Sequence, residues 1–369
     1  MIRICAVIFM CLIKPTIFTA QPVANELVPR VDDRVEFMSI VYILARPNKI
    51  DDKLNIRYSK SISDHFHKYA EHSFIRYFSS LLDSLKRRGK EQGYRDVWAL
   101  ATHLTHPPNF QPIVPLNEVS SDGWDSRLLL TSNLIAGLRQ FYEDSRGAAF
   151  LEQQRRYYAS VDRAYVKQGA RLNRTWFESF FGIKTTEDYF AIISLCSNDA
   201  AYLRVNYGES RRDTFTVFGC ATVDADGIPR TFFGSSFSST MLHEYLHAFS
   251  NQLVDANLSM LQRPAEALLS NLKVYDLMKG TFYGNWNYLL YESLVRACEI
   301  RYLIANEVDV RLAENAMIEQ EKAGFFWIRG LVDKLGSYER SRDDYRDLSA
   351  FMPEVIQYFT AAAADLGTK

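Results

Sequence analysis

The sequence lacks several things, and each absence narrows what it can do. Beyond the first twenty residues no segment is long and apolar enough to cross a bilayer. There is no internal repeat and no low-complexity tract, which excludes a repeat array. Charge of either sign is not in excess: 43 Lys and Arg stand against 44 Asp and Glu, for a formal net charge of −1. The basic clusters Lys86-Arg87-Arg88 and Arg211-Arg212 are short and read as solvated faces, so no nucleic-acid partner is expected. Cysteine is scarce, five in 369 residues, and no pair has zinc-finger spacing.

What is present is a large apolar content, 47% hydrophobic and 14% aromatic, ample for one large core or two smaller ones. The first twenty residues read as a signal peptide. Arg3 gives the positive end, Ile4 to Ile13 the apolar run and Ala20 a small residue for cleavage. A secreted or periplasmic chain is expected, with no membrane span in its mature form. Cys5 and Cys11 would leave with that segment. Cys196, Cys220 and Cys298 remain, allow one disulfide at most, and read as buried small hydrophobes.

The fold class expected is α+β, mostly α. From 25 to 175 the apolar residues recur at helical spacing. Val35 to Leu44 fits a helix by length, Ser61 to Arg88 gives amphipathic helices, Gly93 to Thr105 another, and Arg127 to Gln168 two long ones with a break near Gly147. His65, His67 and His72 read as polar-face histidines. Pro107 to Pro115 is a loop. From 176 to 369 the pattern changes to strand-length runs at Tyr189–Cys196, Ala201–Tyr207 and Thr214–Val223. A turn at Asp224-Ala225-Asp226-Gly227 and a partner strand from Ile228 to Phe233 follow. A small mixed or antiparallel sheet thus precedes further helices. Pro264-Ala265-Glu266 reads as a helix start, Tyr275 to Tyr291 as an aromatic segment wrapping a cleft, and Leu289 to Asn306 as a strong helix. Residues from Ala313 onward are helical again. The two parts are expected to form one continuous globular unit.

The chemistry is concentrated in His243-Glu244-Tyr245-Leu246-His247, an HExxH string. Histidines four apart lie one helical turn above each other on one face, so both can reach one Zn²⁺. Glu244 projects from a neighbouring direction, where it can take a proton from an activated water. Chance alone gives such a string in roughly one chain in a hundred of this size, so context decides. Ser238, Ser239 and Thr240 offer N-caps. Leu242, Leu246, Phe249 and Leu253 form an apolar stripe turned away from the histidines.

Catalytic zinc usually has three protein ligands and an open position. No histidine follows His247, so a downstream third ligand must be a carboxylate. Glu292 lies on a largely apolar helix with Arg296 and Glu299 on the same face. The alternative for that stripe is a plain Glu292–Arg296 ion pair. Glu266 is the alternative ligand, following His247 after eighteen intervening residues, although an acidic residue just after Pro264 is ordinary at a helix start. Glu299 is placed to orient a histidine. Arg296, Tyr291 and Tyr288 are candidate donors to an oxyanion.

At these residues the chain resembles the family called domain of unknown function 4932, a set of gluzincin-like predicted zinc metallopeptidases. The resemblance rests on Asp33-Arg34-Val35-Glu36-Phe37-Met38-Ser39-Ile40, HEYLHAFSN at 243–251, YESLVRA at 291–297 and LGSYERSRDDYRDLSAFMPEVIQYF at 335–359. It implies a zincin-like fold and a zinc site of His243, His247 and Glu292 with Glu244 as general base. The expectation is a zinc-dependent peptidase with one Zn²⁺ per chain and a peptide or protein substrate. Its rivals are an inactive secreted binding protein that keeps the fold and a zinc hydrolase of a non-protein amide.

Overall fold

The computed structural model describes residues 26–47, 56–90, 93–119, 129–167, 172–183, 188–207, 211–220, 222–230, 240–306 and 310–367. The expected signal peptide, Ser238, Ser239 and residues 231–233 of the expected partner strand lie outside them. The described residues form 14 helices and one four-stranded sheet, with two short two-stranded pairs. The fold is α+β and mostly α. No helix among the described residues is long and apolar enough to cross a membrane.

Two short strands, β1 (Glu26–Leu27) and β2 (Arg30–Val31), lead into helix α1 (Asp33–Ala45). Asp32 caps α1, accepting from Arg34 N and Val35 N, and its carboxylate also holds the Arg34 guanidinium at 2.7 Å. Next come α2 (Ile56–Phe66), α3 (Ser73–Arg87), α4 (Tyr94–Thr102), α5 (Ser132–Asp144) and α6 (Gly147–Lys167). The break between α5 and α6 falls at Arg146, which has a positive φ of 55°. These helices bury a dense aromatic cluster in which Phe37, Phe66, Phe141 and Phe150 are fully enclosed.

Then β3 (Leu172–Asn173) and α7 (Arg174–Phe181) precede β4 (Asp188–Ser194), β5 (Ala200–Tyr207) and β6 (Arg211–Gly219). The sheet order is β2-β4-β6-β5. β2 runs parallel to β4 and β4 to β6, while β5 returns antiparallel to β6. The sheet is therefore mixed. Two sequence expectations are corrected here. Thr214–Val223 is not one strand: β6 ends at Gly219, and Thr222–Val223 (β7) pairs instead with Pro229–Arg230 (β8). The ladder stops where the backbone turns to the 197–199 loop, Gly219 N donating to the Asp199 carbonyl and Cys220 N to the Ser197 carbonyl. The approach is so close that a Cβ on Gly219 would sit 1.9 Å from the Ser197 carbonyl oxygen. The N-terminal segment is also not purely helical. β2 belongs to the main sheet, and β1 pairs with β3. Two-residue strands carry no periodicity to detect.

The second half is α8 (Thr240–Asp255), α9 (Leu258–Ser270), α10 (Leu272–Met278), α11 (Trp286–Ala305), α12 (Val310–Lys322), α13 (Ile328–Arg340) and α14 (Leu348–Gly367). Pro264 does not start a helix; it lies inside α9, which begins six residues earlier. An interior proline loses one backbone bond, but Leu261, Pro264, Ala265 and Leu268 are all buried on one face, and that burial holds the helix. Helix α8 lies across β5 and β6 and against α11. Side chains alternate on the strands. Tyr189, Tyr202 and Arg204 turn toward α8, while Leu203, Val205, Phe215 and Val217 turn toward the side of α1 and α4. Tyr189 packs on Tyr245 and Phe249 of α8 at 4.7 and 5.5 Å, and Phe177 and Phe181 of α7 stack on Phe249.

One buried acid ties the N-terminal helices to the sheet. Glu36 of α1 is fully enclosed and accepts from Leu195 N at 2.8 Å and from the Cys196 thiol at 3.6 Å. Nearby, the Tyr58 and Tyr158 hydroxyls share a 2.7 Å hydrogen bond. Cys196 is half-buried, Cys220 and Cys298 are buried, and all three are free thiols. Burial pushes the Glu36 carboxyl from 4.5 up to about 7 against the lowering effect of its donors. A raised acid pKa means that the folded chain keeps a proton the unfolded chain has released. Stability should therefore fall as pH rises from about 4.5 to 7, by about 3 kcal/mol from this group. Urea unfolding of wild type and Glu36→Gln across that window checks this. The variant should show a flatter profile, and superimposable slopes would contradict it.

Candidate metal centre

The site is built where α8 and α11 face each other. Leu242, Leu246, Phe249 and Leu253 are buried, as the apolar stripe requires, and this fixes the rotation of α8. His243 and His247 are thereby turned along one edge, with side chains 18% and 11% exposed. Glu292 comes from α11, 14% exposed. The three residues form a group able to hold a metal ion, their ligating atoms all within 4.8 Å of one another.

The spacing is informative. His243 Nε2 and His247 Nε2 are 3.2 Å apart. Glu292 Oε2 is 3.4 Å from His243 Nε2, and Oε1 is 3.5 Å from His247 Nε2. Ligands at about 2.0–2.1 Å in a tetrahedron are separated by roughly 3.3 Å. The donor set, two imidazoles and one carboxylate, thus fits a zinc-sized tetrahedral ion with one position left open. Glu266 is elsewhere: it is exposed and paired with Gln262 at 2.9 Å. The structure brings His243, His247 and Glu292 together and leaves Glu266 out.

The far ring nitrogens are held as well. His247 Nδ1 meets Asn251 Oδ1 at 3.0 Å, and His243 Nδ1 lies 3.6 Å from Glu299 Oε2. Such partners fix which nitrogen points at the centre. The other Glu299 oxygen is buried without a hydrogen-bond partner, an unusual state for a carboxylate. Arg296 restrains Glu292, with Nη2 at 2.9 Å and Nε at 3.1 Å from Oε2. Its remaining donors go to Gln320 Oε1 at 2.5 Å and the Tyr283 hydroxyl at 2.9 Å. The guanidinium also faces the rings of Tyr283 and Phe325. The ion pair weighed as an alternative to a ligand role therefore coexists with the histidine contacts.

The charges are strongly coupled. Burial opposes a charge on His243, but the carboxylates of Glu292 and Glu299 outweigh it and push His243 up to about 10. Burial likewise opposes ionisation of Glu292, yet His243, His247 and Arg296 hold it well below the usual carboxylate range. The pocket is organised to keep a carboxylate charged beside positive partners.

Of the aromatic candidates, Tyr291 gives its hydroxyl to Asp255 at the end of α8, and Tyr288 is 51% exposed. The tyrosine closest in charge to the site is Tyr283, whose hydroxyl is influenced by Arg296, Glu292 and Glu244 after burial itself. Sequence spacing gives Asn251, Tyr202 and Gln320 no role, and Tyr283 enters it only as one tyrosine of the aromatic segment Tyr275 to Tyr291, from which an oxyanion donor could come. Asn251 does stand four residues after His247, the one signal available. Tyr202, whose ring lies parallel to His247 at 5.9 Å, reaches the site only through the sheet. Removing an orienting partner typically weakens metal binding 10- to 100-fold. Asn251→Ala should do so in a competitive chelator titration, with the fold intact by circular dichroism; wild-type affinity would remove Asn251 from the site.

No curated protein matches this chain, and no solved structure does. A family model does match, over residues 27–358. That span takes in both halves of the candidate metal centre, the buried Glu36 and nearly all the described residues. The model's description is domain of unknown function (DUF4932), and the chain belongs to that family.

Proposed function

We propose that this chain is a zinc-dependent metallopeptidase of gluzincin type, exported to the periplasm or beyond, that hydrolyses peptide bonds. The observation that carries the reading is the convergence of His243, His247 and Glu292 at ligand spacing, with Glu244 next in sequence on the same helix. When bound, Zn²⁺ supplies the Lewis acidity that makes a water nucleophilic near neutral pH and polarises a carbonyl. Glu244, half-buried beside the cluster, takes the proton of the attacking water and passes it to the leaving amine. Arg296 holds Glu292 in place and keeps its carboxylate ionised.

The sheet offers a place for substrate. β5 is the last strand of the sheet among the described residues. It lies on α8, joined to it by the 2.6 Å bond from Arg204 Nη2 to the Ala248 carbonyl and by the Tyr202–His247 contact. An extended peptide adds to such an edge through main-chain hydrogen bonds, which would bring a backbone carbonyl to the histidines. The developing oxyanion needs a donor, and the Tyr283 hydroxyl beside Arg296 is the best placed.

Casein hydrolysis that a chelator abolishes and zinc restores tests the reading directly. Glu244→Gln should keep the metal and lose turnover; undiminished turnover would remove Glu244 as base. No chelator-sensitive hydrolysis by the metal-loaded chain would favour an inactive binding protein, and turnover of small amides alone would favour the non-peptide hydrolase. Tyr283→Phe should cost roughly a hundredfold in kcat, the scale of one lost oxyanion donor, with KM little changed. An unaltered kcat would exclude that role.

A further inference from the structure

Beyond the metal ligands, tyrosines continue in a row. Tyr202 lies on His247, and Tyr291 follows from α11, its hydroxyl held by Asp255 at the end of α8. The Tyr291 and Tyr288 rings meet edge-on at 6.5 Å. Tyr288 then forms one wall of an open trough of about 450 Å³, within the ~300–1,000 Å³ of small-ligand pockets. Tyr275 forms another wall, and both rings are half exposed, at 53% and 51%. The floor is formed in part by Gly280 and Gly284. Gly280 has a φ of +79°, and a Cβ there would meet only open space. Thr281 is turned inward on the chain, donating to the Met278 carbonyl at 2.7 Å, and Lys279 is engaged with Asp276 at 2.7 Å. The Lys279 ammonium also lies over the Tyr275 ring, 5.9 Å from its centroid, so these polar groups are committed locally and the trough presents the two half-exposed rings.

Its position relates it to the proposed chemistry. Tyr288 precedes Glu292 by four residues, so both stand on one face of α11, about 5–6 Å apart at Cβ. An extended peptide advances about 3.3 Å per residue. That turn of helix plus the breadth of the trough beyond it corresponds to roughly two to three residues of an extended substrate whose scissile bond lies at the histidines.

We propose that this trough is a specificity subsite that selects an aromatic side chain two to three residues from the scissile bond, stacking it between Tyr275 and Tyr288. This rests on the peptidase reading of the adjoining centre. Tyrosine suits the task because its ring gives a broad rigid apolar face with little conformational freedom to lose. Phe, Tyr or Trp would pack edge-on or offset against it.

Matched peptide pairs test this, with Phe or Ala at each of the second and third positions on either side of one cleavable bond. Wild type with zinc should favour a Phe peptide through KM. Tyr275→Ala should reduce that preference by roughly 3- to 10-fold, the scale of one aromatic pair, while Tyr275→Phe retains it. Cleavage with no Phe preference at any of these positions would overturn the subsite, as would a preference unchanged in Tyr275→Ala. If wild type cleaves none of the peptides, the peptidase reading fails and the trough is judged by binding alone. Weaker binding of the Phe peptide to Tyr275→Ala than to wild type, by fluorescence anisotropy, would sustain the subsite. Equal binding, or binding of chito-oligosaccharide in place of the peptide, would overturn it.

Discussion

Two imidazole nitrogens 3.2 Å apart, shielded from solvent and faced by a carboxylate, impose the constraint on which the rest of this structure depends. Two neutral imidazoles whose lone pairs face each other repel, and a buried carboxylate is costly unless something positive meets it. A proton shared within the cluster satisfies this partly, and a divalent ion satisfies all three donors at once. The surroundings serve the same end. Glu299 and Asn251 hold the far ring nitrogens, and Arg296 holds Glu292 while itself held by Gln320, Tyr283 and Phe325.

Ordinary packing produces this arrangement. The buried stripe of α8 fixes its rotation against β5 and β6. α11 packs against α8, α9, α12 and α13, so Glu292, Arg296 and Glu299 are largely buried and find their partners within the protein. Trp327 of the C-terminal region donates to Ser293 Oγ at 2.9 Å, beside Glu292 in sequence. At the opposite face of the sheet, Glu36 anchors the start of the β4–β5 connection, and β5 carries Tyr202 to His247. The N-terminal helices thus help set the position of the edge strand.

Most of the site was legible because it obeys local rules. HExxH uses the helical repeat, and Glu292 stands out as a charge on an otherwise apolar helix. The long helices and the three main strands are likewise carried by periodicity. What was not legible depends on contacts distant in sequence. Arg30–Val31 is a strand only because β4 is beside it. β6 ends at Gly219 because the backbone there and at Cys220 bonds to the 197–199 loop instead of a strand. Pro264 sits within a helix because its neighbours are buried. Tyr283 and Gln320 meet Arg296 from elements thirteen and twenty-four residues away, and no spacing rule links them.

We propose that His243, His247 and Glu292 together bind one metal ion. Elemental analysis of purified wild type and Glu292→Ala, prepared side by side with zinc and dialysed, tests it most directly. Wild type should carry one zinc per chain and the variant little or none. Equal zinc in both, or none in wild type after incubation with the metal, would contradict it.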